Sequence, residues 1–167
     1  MSTSFVSRIV DALPAVQGQY YKLVLAGGPA RSGKTAALAT VAQQRGWPKL
    51  NLNLQLADRL LELTHKQRKV RTAVILDEMV RAENSSVVIL DNIEMLFAPE
   101  LEQDPLRLLQ VLSRNLTIIA AWPGTIHAGC LTYAELGHPE ARRYGSPQAC
   151  IVPADVATTS GRVSAEG

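Results

Sequence analysis

Residues 20–35 read YYKLVLAGGPARSGKT. The apolar run 21–26 predicts a short buried strand ending at paired glycines. Gly28-Pro-Ala-Arg-Ser-Gly33-Lys34-Thr35 then meets the pattern G-x-x-x-x-G-K-[ST] at every fixed position. Such a loop must turn successive backbone N–H groups inward on phosphate oxygens, in conformations that glycine tolerates best. Lys34 adds a point charge for the β- and γ-phosphates, the Thr35 hydroxyl suits Mg²⁺, and the helix expected over 34–45 aims its positive end at the anion. Gly28, Arg31, Ser32, Gly33, Lys34, Thr35 and Ala36 are therefore the candidate nucleotide-binding residues, with ATP and Mg²⁺ as the expected ligands.

A phosphate loop of this kind needs a carboxylate for the metal at the C-terminal end of a buried strand. SVVILDN supplies Asp91 after the β-branched run 86–90, so Thr35 and Asp91 are the candidate metal residues. Between the two motifs lies a further strand-and-helices segment, 47–82. That arrangement resembles the ATPase branch of P-loop proteins (AAA+, STAND and RecA-like families), in which a strand is inserted between the two motif strands. It differs from small kinases, whose phosphate-loop strand pairs directly with the acidic strand. In the ATPase branch a Glu usually follows the metal-binding Asp and activates water. Here the position is Asn92, which can orient a water but hardly accept its proton. Glu94, three residues after Asp91, can substitute if the chain turns helical there, or can be a solvated first-turn Glu favoured by the helix dipole. Arg142 and Arg143 in HPEARRY, and Arg114 in LSRN, are candidates for an arginine acting in trans, or ordinary surface arginines. Thr125 is a weaker candidate for sensing the γ-phosphate.

The remaining chain alternates helix and strand. Phe5, Ile9, Val10, Leu13 and Val16 predict a leading helix over 1–17 with Ser4 as N-cap. KLNLNLQL (49–56) alternates Leu with Asn or Gln, the period of a half-buried strand at least over its first part. Helices are expected from Ala57 to about Lys69, over 72–82 (Val74, Ile75, Met79, Val80), and from Asp104-Pro105 to about Arg114. LTIIAA (116–121) reads as a strand. CLTYA (130–134) and ACIVP (149–153) compete for the last strand, with a short helix, 138–144, between them. The expected fold is α/β, a mostly parallel five-stranded sheet with helices on both faces. The expected division is an N-terminal helix (1–19), a P-loop domain (20–153) and a disordered tail (154–167).

The 167 residues carry a net charge of +2 and 47% apolar side chains, enough for one sizeable core and too balanced to demand a polyanionic partner. No run approaches the roughly 20 apolar residues of a membrane span. No N-terminal apolar region follows a basic start, and Cys130 and Cys150 have no metal-like spacing, so a cytoplasmic protein with reduced thiols is expected. HKQRKVR (65–71) reads as a solvated helix terminus suited to the macrodipole, or as a contact for nucleic acid or an acidic partner. Trp122 reads as packing at a strand end rather than adenine stacking. His65, His127 and His138 share no metal-ligand spacing.

Taken together, GGPARSGKT, LDNIEMLFAPELEQDPLRLLQVLSRN, TIIAAWPG and LTYAELGHPEARRY resemble the BrxF family, small P-loop proteins encoded in type 3 BREX phage-defence systems. The resemblance covers about residues 20–145. It implies a nucleotide-binding component of a multi-protein assembly that modifies host DNA and blocks phage replication. Its implied partners are a larger ATPase, a DNA methyltransferase, a helicase-like and a phosphatase-like protein; a contact with DNA is possible, with an indirect one the expectation. It carries Gly28, Gly33, Lys34, Thr35 and Asp91 over as site residues. Three functions follow as expectations: a regulatory ATPase whose hydrolysis is slow or needs assembly with partners or further copies, a non-hydrolysing nucleotide-dependent interaction module, and a small-molecule kinase. The kinase has the least support, because no Arg-rich lid is evident and the second strand offers only Asn51 and Asn53.

Overall fold

The computed structural model describes residues 4–29, 32–127, 130–133, 142–145 and 147–154. Five parallel strands form the main sheet: β1 (Leu23–Gly27), β2 (Lys49–Asn51), β3 (Val87–Asp91), β4 (Thr117–Ala121) and, after three short strands described below, β8 (Cys150–Pro153). Their order is β2-β3-β4-β1-β8. The three central strands are buried at every position, which is why they read as unbroken apolar runs rather than alternating ones. β4 lies between β1 and β3, in register Leu23↔Ile118 and Val88↔Ile118. The strand that separates the two motif strands thus comes from later in the chain. The segment 47–82 contributes only β2, at the sheet edge.

Helices cover both faces. On one, α1 (Phe5–Val16) and α2 (Lys34–Arg45) pack on Val24, Ala26, Ile89 and Ile119. Ser4 caps α1 by accepting from the Ser7 N–H, and Phe5, Ile9, Ala12 and Val16 are buried at helical spacing. Gly46 ends α2 at φ 70°, the left-handed backbone that glycine enters without strain. On the other face, α3 (Leu52–Leu60), α4 (His65–Arg81) and α5 (Pro105–Leu112) cover Leu25, Leu90 and Ala120. Asp104 caps α5, with Pro105 at its first position.

Several local expectations are overturned. KLNLNLQL is a strand only through Asn51. The Asn51 side chain accepts from the Leu54 N–H and starts α3. Leu52, Leu56 and Leu60 are then buried while Leu54 is 69% exposed, a four-residue rather than two-residue period. The helix expected over 57–69 does not exist as one piece, because Thr64 and Gln67 form a capping box that opens a new helix, α4, which runs on to Arg81 and takes in nearly all of the helix expected over 72–82. HKQRKVR therefore lies at a helix start, where its charges oppose the macrodipole. Arg68 offsets this by donating to the carbonyls of Leu60 and Leu63 at the end of α3 (3.0 and 3.1 Å), and Lys69 pairs with Glu102 (2.7 Å).

ACIVP, not CLTYA, completes the main sheet, pairing Val24↔Cys150 through Gly27↔Pro153. β6 (Cys130–Tyr133) instead joins β5 (Thr125–His127) and β7 (Arg142–Tyr144) in a small antiparallel sheet. The C-terminal part of the expected helix 138–144 is thus strand; residues 138–141 lie outside the described residues, as do 155–167 of the expected tail. No helix among the described residues is long and apolar enough to cross a membrane.

Candidate functional site

The C-terminal ends of β1 and β3 bring the two motifs together. At the end of β1 the chain turns through Gly28, at φ 144°, where a Cβ would lie 2.8 Å from Ser32 Oγ and 2.9 Å from Ala154 Cβ. Gly33, at φ 92°, has open space around it, so its backbone conformation rather than crowding requires glycine. Ser32 is 7% exposed, and its Oγ is the one buried side-chain polar atom among the described residues without a hydrogen-bond partner. A buried hydroxyl left unpaired beside a loop of this shape suits a ligand oxygen. Lys34 opens α2 and is half-buried. Its Nζ donates to the carbonyls of Gly28 (2.6 Å) and Trp122 (2.8 Å), leaving one of its three protons unused. Burial pushes the Lys34 ammonium below the ordinary lysine pKa, and the nearby Glu94 and then Asp91 carboxylates oppose that shift. Thr35, beside it in the first turn of α2, and Ala36 are exposed; Arg31 lies outside the described residues.

Asp91 ends β3 on the face that α2 covers and is 4% exposed. One carboxylate oxygen accepts from the Asn92 N–H (2.9 Å), and the other faces Lys49 Nζ at 4.0 Å. Lys49 was not among the candidates. Finding it needs the register Asn51↔Asp91, which places Lys49 two residues back on the same face of β2. Asn92 has φ 54°, a left-handed conformation that Asn tolerates better than most residues. Backbone geometry thus gives Asn92 a reason to be Asn.

After Asn92 the chain enters a 3-10 turn, Glu94–Phe97. Glu94 is its exposed first residue, close enough to Lys34 to act on its proton affinity. Asn53 of α3 holds this segment in place. Its N–H donates to the Asn92 carbonyl (2.8 Å), its Oδ1 accepts from the Met95 N–H (2.7 Å) and its Nδ2 donates to Glu94 Oε1 (3.0 Å). In the sequence Asn53 stands only as a second-strand residue unsuited to a kinase. Its role depends on the start of α3 meeting the end of β3, a tertiary contact with no local signature.

The small sheet sits over this end of the molecule. A Cβ on Gly27 would collide with Ile126, and one on Gly124 with the Thr132 backbone. Trp122 is fully buried, edge-on to Phe97 (5.3 Å) and Tyr144 (5.8 Å), with its indole N–H on the Thr132 carbonyl; it packs, as expected, and its carbonyl also anchors Lys34. Thr125 is exposed and hydrogen-bonds Thr132 through their hydroxyls (2.6 Å). Arg143 is exposed on β7 with Cys130 Sγ 3.8 Å away; the side chain of Arg142 lies outside the described residues. Arg114 follows α5, where Ser113 accepts from Lys22 at the start of β1, so it stands at the opposite end of the sheet from the phosphate loop. No group of three or more His, Cys, Asp or Glu among the described residues could hold a metal by itself.

The fold is that of a P-loop NTPase. Strand order β8-β1-β4-β3-β2, with the glycine loop after β1 and Asp91 at the end of β3, is the arrangement of the ATPase branch. No protein-family model and no curated protein matches the sequence. Among solved structures, the chain is similar to AMPPCP-bound DnaA from Aquifex aeolicus (18% identity, 72% of this chain and 37% of that chain, TM-score 0.39). It is also similar to a DNA replication initiation factor (17% identity, 69% and 36%, TM-score 0.40). The chain spans well under half the length of either.

The donor set fits a nucleoside triphosphate. Loop N–H groups, the Ser32 hydroxyl and Lys34 are all donors suited to the phosphates, while Thr35 and Asp91 are oxygen ligands of the hard type Mg²⁺ takes.

Proposed function

We propose that the chain binds Mg·ATP at the phosphate loop and works as a nucleotide-dependent switch whose hydrolysis is gated by assembly. Bound Mg²⁺ would neutralise charge on the β- and γ-phosphates. Lys34 and the loop N–H groups hold the same phosphates and orient them along the axis of α2. Glu94 is the carboxylate available to take a proton from water, with Asn92 beside it as an orienting group. The observation that carries the reading is the convergence of Lys34, Asp91 and Glu94 at one end of the sheet, beside the unpartnered Ser32 hydroxyl. Lys34→Ala should abolish binding of labelled ATP; binding equal to the parent's would remove the assignment.

The hydrogen bond from Asn53 to Glu94 also supports a second reading, a module that binds ATP without turning it over. Phosphate release measured with and without candidate partners and DNA separates the two. Turnover that appears on assembly and vanishes in Glu94→Gln favours the switch. The resemblance to BrxF suggests the setting, a BREX-type defence complex with a larger ATPase, methyltransferase, helicase-like and phosphatase-like proteins. Co-purification of the tagged chain with those proteins, dependent on nucleotide, tests it.

A further inference from the structure

The end of the sheet away from the phosphate loop carries a cluster that the nucleotide site does not use. The chain passes from α1 to β1 through Tyr20, Tyr21 and Lys22. Tyr20 is 65% exposed, the one aromatic among the large apolar side chains that the described residues leave in solvent. Its ring meets Tyr21 edge-on at 4.9 Å. Arg114 lies over the Tyr20 ring at 5.0 Å, and Arg107 of α5 lies over Tyr21 at 6.0 Å while donating to its hydroxyl. Lys22 follows directly. Among the described residues, none of these three cations has a carboxylate within 4.0 Å. Beside the tyrosines opens a cleft of about 630 Å³, lined also by Gln19 and Gln148.

These features are complementary to one chemistry. Unpaired cations attract a phosphate backbone. An exposed aromatic ring steadied by the Arg114 guanidinium offers a platform for a base, and stacking of that kind accepts any base. The amides of Gln19 and Gln148 are donors and acceptors suited to a base edge. A duplex keeps its bases stacked on each other and leaves Tyr20 nothing to stack on. An acidic polypeptide would use the cations alone. We propose that the Tyr20–Lys22 turn, with Arg107 and Arg114, binds single-stranded nucleic acid. Because the phosphate loop lies at the other end of β1, both ligands can be held at once.

Anisotropy of fluorescein-labelled fifteen-mers of dT and of U, titrated with the full chain at low and moderate salt, tests the proposal. A single strand should bind, more weakly as salt rises, with log K falling by about 0.7 per contacted phosphate for each decade of salt. Tyr20→Ala should weaken binding at least about five-fold, the lower end of the effect of one lost base stack, and Tyr20→Phe should retain it. Arg114→Gln should weaken binding and flatten the salt dependence. Tyr20→Ala should keep the parent's affinity for ATP, which shows an intact fold. Preference between the dT and U strands identifies the source, DNA or RNA. The proposal is overturned by no binding at low salt, by parental affinity in Tyr20→Ala, or by duplex or polyglutamate competing as well as the single strand.

Discussion

Lys34 is held where its charge is least comfortable. It gives up hydration to sit between the Gly28 and Trp122 carbonyls, and its pKa is lowered by burial despite Glu94 and Asp91. The folded chain therefore binds this proton less tightly than the unfolded chain. The charged lysine costs stability below its folded pKa, and stability rises with pH between that value and the ordinary one. ATP binding needs the ammonium, so it should fade as pH climbs through that window, measurable by titration calorimetry. Lys34→Met should abolish ATP binding yet leave the unfolding free energy within about 1 kcal/mol of the parent, since the desolvated charge and its two hydrogen bonds nearly offset each other. A large loss in a urea titration would show the lysine to be structural. Asn53 behaves oppositely. Asn53→Ala removes two side-chain hydrogen bonds and should cost about 1–2 kcal/mol in the same titration. The candidate glycines, Lys34 and Thr35 were legible because the chemistry of phosphate fixes their spacing along the chain, and Asp91 because it ends an apolar run. Asn53 and Lys49 were not, since each meets its partner only across a tertiary contact.

The segment around α3 shows where reading by period fails. Leu50, Leu52, Leu54 and Leu56 fit a strand when scored as alternation, and Leu52, Leu56 and Leu60 fit a helix when scored at four-residue spacing. Asn51 decides between them, because its side chain can accept from the Leu54 N–H and start a helix. The two readings predict different energetics. Leu54→Lys should be nearly neutral, whereas Leu56→Ala should cost about 2–5 kcal/mol; similar losses at both positions would restore the strand. The break between α3 and α4 was equally present in the sequence, as Thr64 followed three residues later by Gln67. Thr64→Ala should lower stability by about 1 kcal/mol, visible as a lowered melting temperature. β5–β7 were the least legible elements. They are three or four residues each, and their placement depends on Ile126 docking against Gly27 of the larger sheet and on Gly124 letting the Thr132 backbone approach.

At the scale of the molecule, Trp122 joins the two sheets to the phosphate loop. Its carbonyl accepts from Lys34, its indole N–H binds Thr132, and its ring packs on Phe97 and Tyr144. Engaging Lys34 with a phosphate should therefore be felt in the small sheet. In a Trp47→Phe background Trp122 is the sole tryptophan, and adding ATP should change its emission, with no change when Lys34→Ala is also present. The α/β class and the three central strands were legible because buried parallel strands are unbroken apolar runs, whereas β2 showed only as an alternating stretch and β8 competed with β6 for the last place in the sheet. The order of those strands was legible only in part, since nothing local marks β4 as the neighbour of both β1 and β3. That order has a consequence in time. β1 pairs with β4, whose residues lie nearly a hundred positions later, and with β8, later still. Every neighbour of the strand that launches the phosphate loop is thus made after the loop itself. During synthesis the loop emerges early but has no wall on either side until residue 121, and only one until residue 153. A ribosome-bound chain stopped before β4 should not retain ATP however correct its glycines are, and folding should be slow for a protein of this size.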